Sequence, residues 1–212
     1  MRSWIRPGWS GAVDAVFVAA LVAAGAAGCS DEAPPVCPED MAMVEGFGVL
    51  ACIDRYEASR ADDDSAVSAA GLNPWTVVTW DEAWAACEAA GKRLCTDVEW
   101  AKACEGPRSG SGVWPKFPYG DDFAPGQCND ATTGVGIERT GRQDLCEGGY
   151  VGVFDMSGNA AEWSDRCSEG RCFLGGGSFA DANSNDLSCN ILAGLDPDRV
   201  SGDVGFRCCL TP

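Results

Sequence analysis

Residues 77–100, VVTWDEAWAACEAAGKRLCTDVEW, decide the fold of this chain. Thr79 and Thr96 each stand three residues before a glutamate, Glu82 and Glu99, which is the spacing of a capping box at a helix N-terminus. Apolar residues follow each box at helical spacing, and a glycine follows each segment. The stretch therefore predicts two short amphipathic helices in tandem.

Outside the helix pair, short apolar runs alternate with turn residues. The runs predict strands near residues 51–56, 172–179 and 205–210, and a further strand-like run at 151–155 precedes the turn at Gly158-Asn159. Long irregular stretches separate them. Few periodic segments and many cysteines together predict an α+β domain that is rich in loops and held by disulfides.

The N-terminal residues predict an export signal. Arg2 and Arg6 precede an apolar run at residues 15–27, which is shorter than the about 20 residues a transmembrane helix needs. Small residues stand directly before Cys29, as at a lipoprotein cleavage site. The prediction is a signal peptide at 1–28, an acylated Cys29 at the head of a tether at 29–36, and one domain at 37–212. The alternative is ordinary secretion, with Cys29 as an odd thiol.

This prediction places the protein in the cell envelope, anchored to a membrane by lipid. Ser30, which follows the acylated cysteine, favours the outer membrane or the cell surface.

The cysteine count agrees with export. The chain has thirteen cysteines, so an acylated Cys29 would leave an even number, enough for six disulfides. Cys167 and Cys172 flank a turn-like stretch and are close enough for a local disulfide. Cys208 and Cys209 are adjacent on a predicted strand, so their side chains should point to opposite faces and bond different partners.

Composition excludes several chemistries. The chain has no histidine, which excludes Ser-His-Asp and Cys-His nucleophiles and histidine-ligated zinc or iron sites. The formal net charge of -17 disfavours nucleic acid as a partner, because such a surface repels phosphate backbones.

From the helix pair outward, the chain resembles the formylglycine-generating enzyme (sulfatase-modifying factor) family. Six blocks occur in that family's order. They are 54–57 DRYE, 77–100, 117–121 FPYGD, 155–163 DMSGNAAEW, 176–179 GGSF and 205–208 GFRC. The resemblance implies the family's variant of the C-type-lectin-like fold.

The resemblance also implies calcium binding. At the matching positions, calcium would be held by the carboxylates of Asp155 and Glu162 and by the backbone at Gly158 and Ala160. Oxygen ligands of these kinds suit calcium. A second site would use Asn129 and the backbone of Asp130. Without calcium, Asp155 and Glu162 would serve as a turn cap and a surface ion pair.

The family's oxidising centre is where the resemblance stops. Catalytic members bind copper(I) through two cysteines after the Gly-Gly-Ser-aromatic motif, and these positions are Asp181 and Asp186 here. Carboxylates are poor ligands for copper(I), which prefers thiolates. Ser178 matches the family's pocket serine, but the family tryptophan is replaced by Ala161. Copper is therefore not expected, and no catalytic residue is assigned.

Three functions are compatible with these features of the sequence. The first is a non-catalytic module that binds a peptide, a glycan or a protein partner in the former active-site cleft. The second is an oxidase acting on a substrate cysteine, which would need free thiols such as Cys189 with Cys167 or Cys172. The third is a structural envelope protein, in which Asp181, Asp186 and Trp163 would lie scattered on the surface.

Overall fold

The computed structural model describes residues 35–46, 48–107 and 114–212. The predicted signal peptide and Cys29 lie outside the described residues. Within the described part of the chain, no helix is long and apolar enough to cross a membrane.

Two four-stranded sheets and two helices form the described domain. The elements are β1 Met41–Gly46, β2 Val49–Asp54, β3 Ser59–Arg60, β4 Ala66–Val67, α1 Trp80–Ala89, β5 Arg93–Leu94, α2 Asp97–Glu105, a 3-10 turn Asp144–Cys146, β6 Ala161–Ser168, β7 Arg171–Gly175, β8 Ile191–Leu195, β9 Val204–Phe206 and β10 Cys208–Leu210. This is the α+β, loop-rich architecture that the sequence predicts.

The first sheet has the order β1-β2-β10-β5, and all of its pairs are antiparallel. The second has the order β8-β7-β6-β9, with β9 parallel to β6. Strands β3 and β4 form a separate short hairpin. The predicted strand at 205–210 is divided at Arg207, where the chain leaves the second sheet and enters the first.

Both predicted helices are confirmed, with complete capping boxes. Glu82 N donates to Thr79 Oγ1 at 3.2 Å, and Thr79 N donates to Glu82 Oε2 at 2.8 Å. Thr96 and Glu99 repeat the pattern at 3.1 and 2.9 Å. Gly106 ends α2 with a φ of 70°, and a Cβ there would lie 2.3 Å from the carbonyl oxygen of Gly149. Only glycine fits both conditions.

The predicted strand at 151–155 is wrong. Residues 151–155 form a turn with one isolated bridge between Phe154 and Glu147. Asp155 has a φ of 60°, which interrupts an extended run, and Phe154 O accepts from the buried guanidinium of Arg207 at 2.8 Å. Backbone groups of this segment therefore form hydrogen bonds with distant residues and are not free to pair with a neighbouring strand.

Six disulfides join the twelve described cysteines. The predicted local disulfide between Cys167 and Cys172 is confirmed. Cys208 bonds Cys87 of α1 and Cys209 bonds Cys95, so the adjacent pair does take different partners. The remaining pairs are Cys37–Cys52, Cys104–Cys189 and Cys128–Cys146. A disulfide typically adds about 2 to 4 kcal/mol to the unfolding free energy, because it restricts the unfolded chain.

Candidate functional site

A pocket of about 320 Å³ opens beside the turn that follows β7. Ser178, Asp181 and Asp186 all line it. The sequence positions that the family resemblance assigns to its reactive centre therefore come together in one cavity. Trp163 does not join them, because its ring is fully buried in the core and its Nε1 donates to Val78 O at 3.2 Å.

The GGS motif builds the turn at the pocket. Gly176 and Gly177 have φ values of 85° and 62°, and a Cβ on Gly177 would lie 2.7 Å from the carbonyl oxygen of Asp186. This turn aims Ser178 at Asp181, whose Oδ2 accepts from Ser178 N at 2.8 Å and from Ser178 Oγ at 2.9 Å. Ser178 is thus a donor to a carboxylate.

Part of the pocket lining is apolar. Ala161 of β6 and Leu174 of β7 stand beside Leu195 and Val204. Because position 161 carries a methyl group where the family resemblance implies a tryptophan, the side chain that would occupy this space is missing. The cavity lining therefore combines apolar side chains with the carboxylates of Asp181 and Asp186.

Sequence reasoning missed two charged residues in this pocket, Arg199 and Asp203. Both belong to the loop between β8 and β9. Asp203 accepts a short hydrogen bond from Ser201 Oγ, and its carbonyl oxygen accepts from Ala161 N at 2.9 Å. The only signal in the sequence was a cluster of charged and turn residues at 196–203, which is typical of any surface loop.

The described residues of the pocket do not fit copper(I). Its two thiolate positions are carboxylates, and the nearby Cys189 is bonded to Cys104. Cys167 and Cys172, the other thiols that an oxidase would need, are bonded to each other. Every cysteine that the structure describes is in a disulfide, so no thiolate pair remains there to bind copper.

A second cluster of carboxylates lies in the interior, around Arg207. The Glu162 carboxylate accepts from Arg207 Nη2 at 2.6 Å and Nε at 2.7 Å, and also from Trp100 Nε1 at 2.6 Å. Glu57 is fully buried nearby, and its oxygens accept from Asn159 Nδ2 and Ala160 N. Sequence reasoning did not predict this role for Arg207 and Glu57.

Negative charge exceeds positive charge in this cluster. Burial, followed by the charges of Asp155 and Glu162, raises the pKa of Glu57 well above its usual value. Burial also raises the pKa of Asp155 to about 6, although Gly141 N donates to its Oδ2 at 2.6 Å. Three carboxylates therefore share the single guanidinium of Arg207.

The two predicted calcium carboxylates already have partners within the protein, since Asp155 accepts from a turn amide and both oxygens of Glu162 pair with Arg207. These are the turn cap and the ion pair of the alternative, although the ion pair is buried and not on the surface. The hydrogen bonds of the described residues use Oδ2 of Asp155 and leave one acceptor position on Oε1 of Glu162. No group of three acidic or cysteine side chains is arranged to hold a metal among the described residues, so calcium would take further ligands from the backbone at Gly158 and Ala160. Calcium binding stays a prediction, and Glu162 would also hold Arg207.

The predicted second calcium pair is already hydrogen-bonded within the protein. Asn129 Oδ1 accepts from Thr133 Oγ1 at 2.9 Å, and its amide nitrogen donates to Asn159 Oδ1 and Gly136 O. The backbone oxygen of Asp130 accepts from Thr133. These contacts stabilise a turn, and the second calcium site stays a prediction.

Known proteins resemble the chain in both sequence and fold. Residues 41–212 match the FGE-sulfatase family, described as the sulfatase-modifying factor enzyme 1-like domain. The inactive C-alpha-formylglycine-generating enzyme 2 of Bos taurus is 30% identical in a match that covers 64% of this chain and 49% of that protein. The formylglycine-generating enzyme of Streptomyces coelicolor is 26% identical in a match that covers 73% of this chain and 56% of that protein.

Among solved structures, Treponema denticola variable protein 1 superposes with a TM-score of 0.63 at 17% identity, covering 77% of this chain and 85% of its own. At that identity the likeness concerns the fold alone. The chain spans about half the length of the curated relatives it matches. Since the match extends over most of the described domain, the chain belongs to the sulfatase-modifying factor enzyme 1-like (formylglycine-generating enzyme-like) family, with its C-type-lectin-like fold.

Proposed function

We propose that this chain is an extracytoplasmic lipoprotein whose domain binds a ligand in the pocket of Ser178, Asp181 and Asp186 without catalysing an oxidation. The observation that carries the proposal is the pocket itself. It keeps the position and the serine of the family's reactive centre, but it presents carboxylates where copper thiolates would stand. The name "inactive" of the Bos taurus relative is consistent with this proposal.

The envelope location rests on the cysteines. The described domain contains six disulfides. Disulfides persist in oxidising compartments and are rare in a reducing cytosol. They support export, as does the apolar run before Cys29. The lipid on Cys29 would hold the domain at a membrane surface, with residues 29–36 as the tether.

The chemistry of the pocket favours a ligand with an apolar body and a donor or cationic end. Ala161, Leu174 and Val204 would contact the body, and Asp181 and Asp186 would accept from the polar end. A side chain of a peptide or of a protein partner meets this description.

The test uses two variants: one fills the pocket with a larger side chain, and the other reverses the charge of two pocket residues. Ala161→Trp places a ring in the cavity, and Asp181→Arg/Asp186→Arg reverses its charge. The matched control is Asp62→Arg/Asp144→Arg, which makes the same charge change at two exposed sites away from the pocket. Crosslinking in intact cells, followed by mass spectrometry, should recover a partner with the wild type and the control and lose it with both pocket variants. Equal recovery from all four proteins would contradict the proposal.

The alternative function, an oxidase, needs free thiols. The mass of the intact protein after thiol labelling shows whether free thiols are present. We expect the described cysteines to label with a thiol reagent only after reduction. Labelling without reduction at two of these cysteines, together with copper-dependent conversion of a cysteine peptide to its aldehyde, would overturn the non-catalytic proposal.

A further inference from the structure

We propose that the disulfide between Cys167 and Cys172 is a thiol-exchange site, which a dithiol reductant opens while the other described disulfides stay closed. Opening it loosens strand β8, which contributes Leu195 to the lining of the pocket of Asp181. The loosening is a property of the domain itself, whereas its effect on a bound ligand rests on the proposed function.

Cys167 differs from the other described cysteines in its exposure to solvent. It is exposed near the end of β6, whereas Cys37 is half-buried and the remaining described cysteines are buried. Thiol exchange begins when a thiolate attacks a disulfide sulfur, so its rate depends on access to that sulfur. A reductant therefore reaches the disulfide of Cys167 more easily than the other five.

The hairpin between β6 and β7 has a turn that closes it without the disulfide. Glu169 and Gly170 form this turn with φ values of 54° and 74°. Two left-handed residues of this kind match the twist of the antiparallel strands on either side. The disulfide has a sequence separation of 5, compared with 114 for Cys95–Cys209, so it restricts the unfolded chain far less. We therefore expect the domain to stay folded when this disulfide opens.

The charges at the end of the hairpin permit a thiolate to approach. Residues 165–171 contain two acidic and two basic side chains, although the whole chain carries a formal net charge of -17. A surface of uniformly negative charge would repel an anionic nucleophile, and a balanced one does not. Exchange is thus favoured at this end of the domain by charge as well as by exposure.

The exchange has two steps and needs only the dithiol as co-reactant. A thiolate of the reductant attacks Sγ of Cys167, the disulfide bond breaks, and Sγ of Cys172 leaves as a thiolate that takes up a proton. The second thiol of the reductant then attacks the mixed disulfide and releases Cys167 as a thiol. The domain gains two electrons and two protons, and the reductant is oxidised to its own disulfide.

Cys172 connects this disulfide to the pocket. It is 2% exposed, and in the pairing of β7 with β8 it lies opposite Leu195, which lines the pocket. The two strands approach closely here, because a Cβ on Gly194 would lie 2.8 Å from the carbonyl oxygen of Cys172. In its sheet β8 pairs with β7 alone, so β8 depends on how firmly β7 is held to β6. Opening the disulfide removes one of the links between β6 and β7.

The test treats the full-length protein with dithiothreitol under native conditions, alkylates free thiols at successive times and maps them by peptide mass spectrometry. We expect Cys167 and Cys172 to be alkylated about 10-fold or more faster than the other described cysteines. Circular dichroism should not change at that stage. Hydrogen exchange at residues 191–195 should become about 5-fold or more faster, because local opening of β8 costs less free energy.

Cys167→Ser/Cys172→Ala reproduces the open state without a reductant. Its residues 191–195 should exchange as fast as those of the partly reduced wild type. The matched control is Cys37→Ser/Cys52→Ala, which removes the disulfide next to β1 and β2 of the other sheet. This control should leave hydrogen exchange at residues 191–195 unchanged.

Earlier opening of a different disulfide, or simultaneous opening of all six, would overturn the exchange site. Unchanged hydrogen exchange at residues 191–195 in the partly reduced wild type would overturn the link to the pocket. These measurements involve no ligand, so their failure leaves the proposed function standing. Conversely, failure to recover a partner by crosslinking would contradict the proposed function and leave the exchange site standing.

Discussion

At the scale of single residues, Arg207 connects the two halves of the domain. Its guanidinium is fully buried, pairs with Glu162, and also donates to Asp54 O at 3.1 Å and Phe154 O at 2.8 Å. A buried charge needs this full set of partners, because desolvation would otherwise destabilise the fold. The residue that divides the last strand between two sheets is therefore also the one that neutralises part of the buried negative charge.

The calcium prediction belongs to the same cluster. We expect a chelator to lower the melting temperature by roughly 5 °C, because a bound cation would stabilise the ionised carboxylates of Asp155 and Glu162 in the interior. Differential scanning fluorimetry with EDTA and with added calcium measures this shift.

Asp155→Asn tests whether the effect comes from this site. The variant should no longer respond to calcium, while an exposed control, Asp144→Asn, should respond like the wild type. A wild-type melting temperature that is identical with EDTA and with calcium would rule the site out.

At the scale of elements, the glutamates of the two capping boxes have different hydrogen-bond partners. The exposed Glu82 bonds its cap residue Thr79, whereas Glu99 bonds its cap residue and also accepts from Arg93 Nη1 at 2.7 Å and Nη2 at 2.6 Å. The Arg93 guanidinium, acting against partial burial, lowers the pKa of Glu99. The second helix start is thus joined to strand β5 as well as to its own cap.

Removal of either cap should destabilise the domain. Thr79→Ala and Thr96→Ala are each expected to cost about 1 kcal/mol of unfolding free energy, because one helical N–H loses its acceptor. Urea unfolding followed by circular dichroism measures the change. Glu88→Ala, on the exposed face of α1, is the control and should stay within about 0.5 kcal/mol. Equal stability of all three variants and the wild type would contradict the role of the caps.

At the scale of the whole molecule, the burial of carboxylates makes the stability of this acidic chain depend on pH. The chain carries a formal net charge of -17, and several carboxylates are inside rather than on the surface. Burial raises the pKa of Asp54 to about 6, even though Lys92 Nζ donates to it at 2.6 Å. The folded domain therefore binds protons at pH values where the unfolded chain has already released them.

Stability should consequently rise as the pH falls from 8 towards 4. The pKa of Asp54 is higher in the folded state than the ordinary 3.8, so its contribution is complete below about pH 4 and lost as the pH rises through 6. We expect a gain on the order of 1 to 3 kcal/mol from this group, measured by urea unfolding at pH 5 and pH 8 in the presence of EDTA.

Asp54→Asn should make the pH dependence shallower, and Asp62→Asn, at an exposed site, should not. A domain that is more stable at pH 8 than at pH 5 would contradict the assignment.

Local features of the fold can be predicted from short stretches of the sequence. Both helix starts, the disulfide between Cys167 and Cys172, the opposite directions of Cys208 and Cys209, and the family's ordered blocks follow from residues close together in the chain. Hydrogen bonds and bond geometry over a few residues fix such features before any distant contact forms.

Other features depend on contacts between distant segments, which the folded structure shows. It replaced the predicted strand at 151–155 by a turn, brought Arg199 and Asp203 into the pocket of Asp181, and left the Ser59 hydroxyl buried without a partner. These outcomes depend on which loops meet after the two sheets pack and the long-range disulfides close. No local pattern in the sequence carries that information, because the contacting groups lie far apart along the chain.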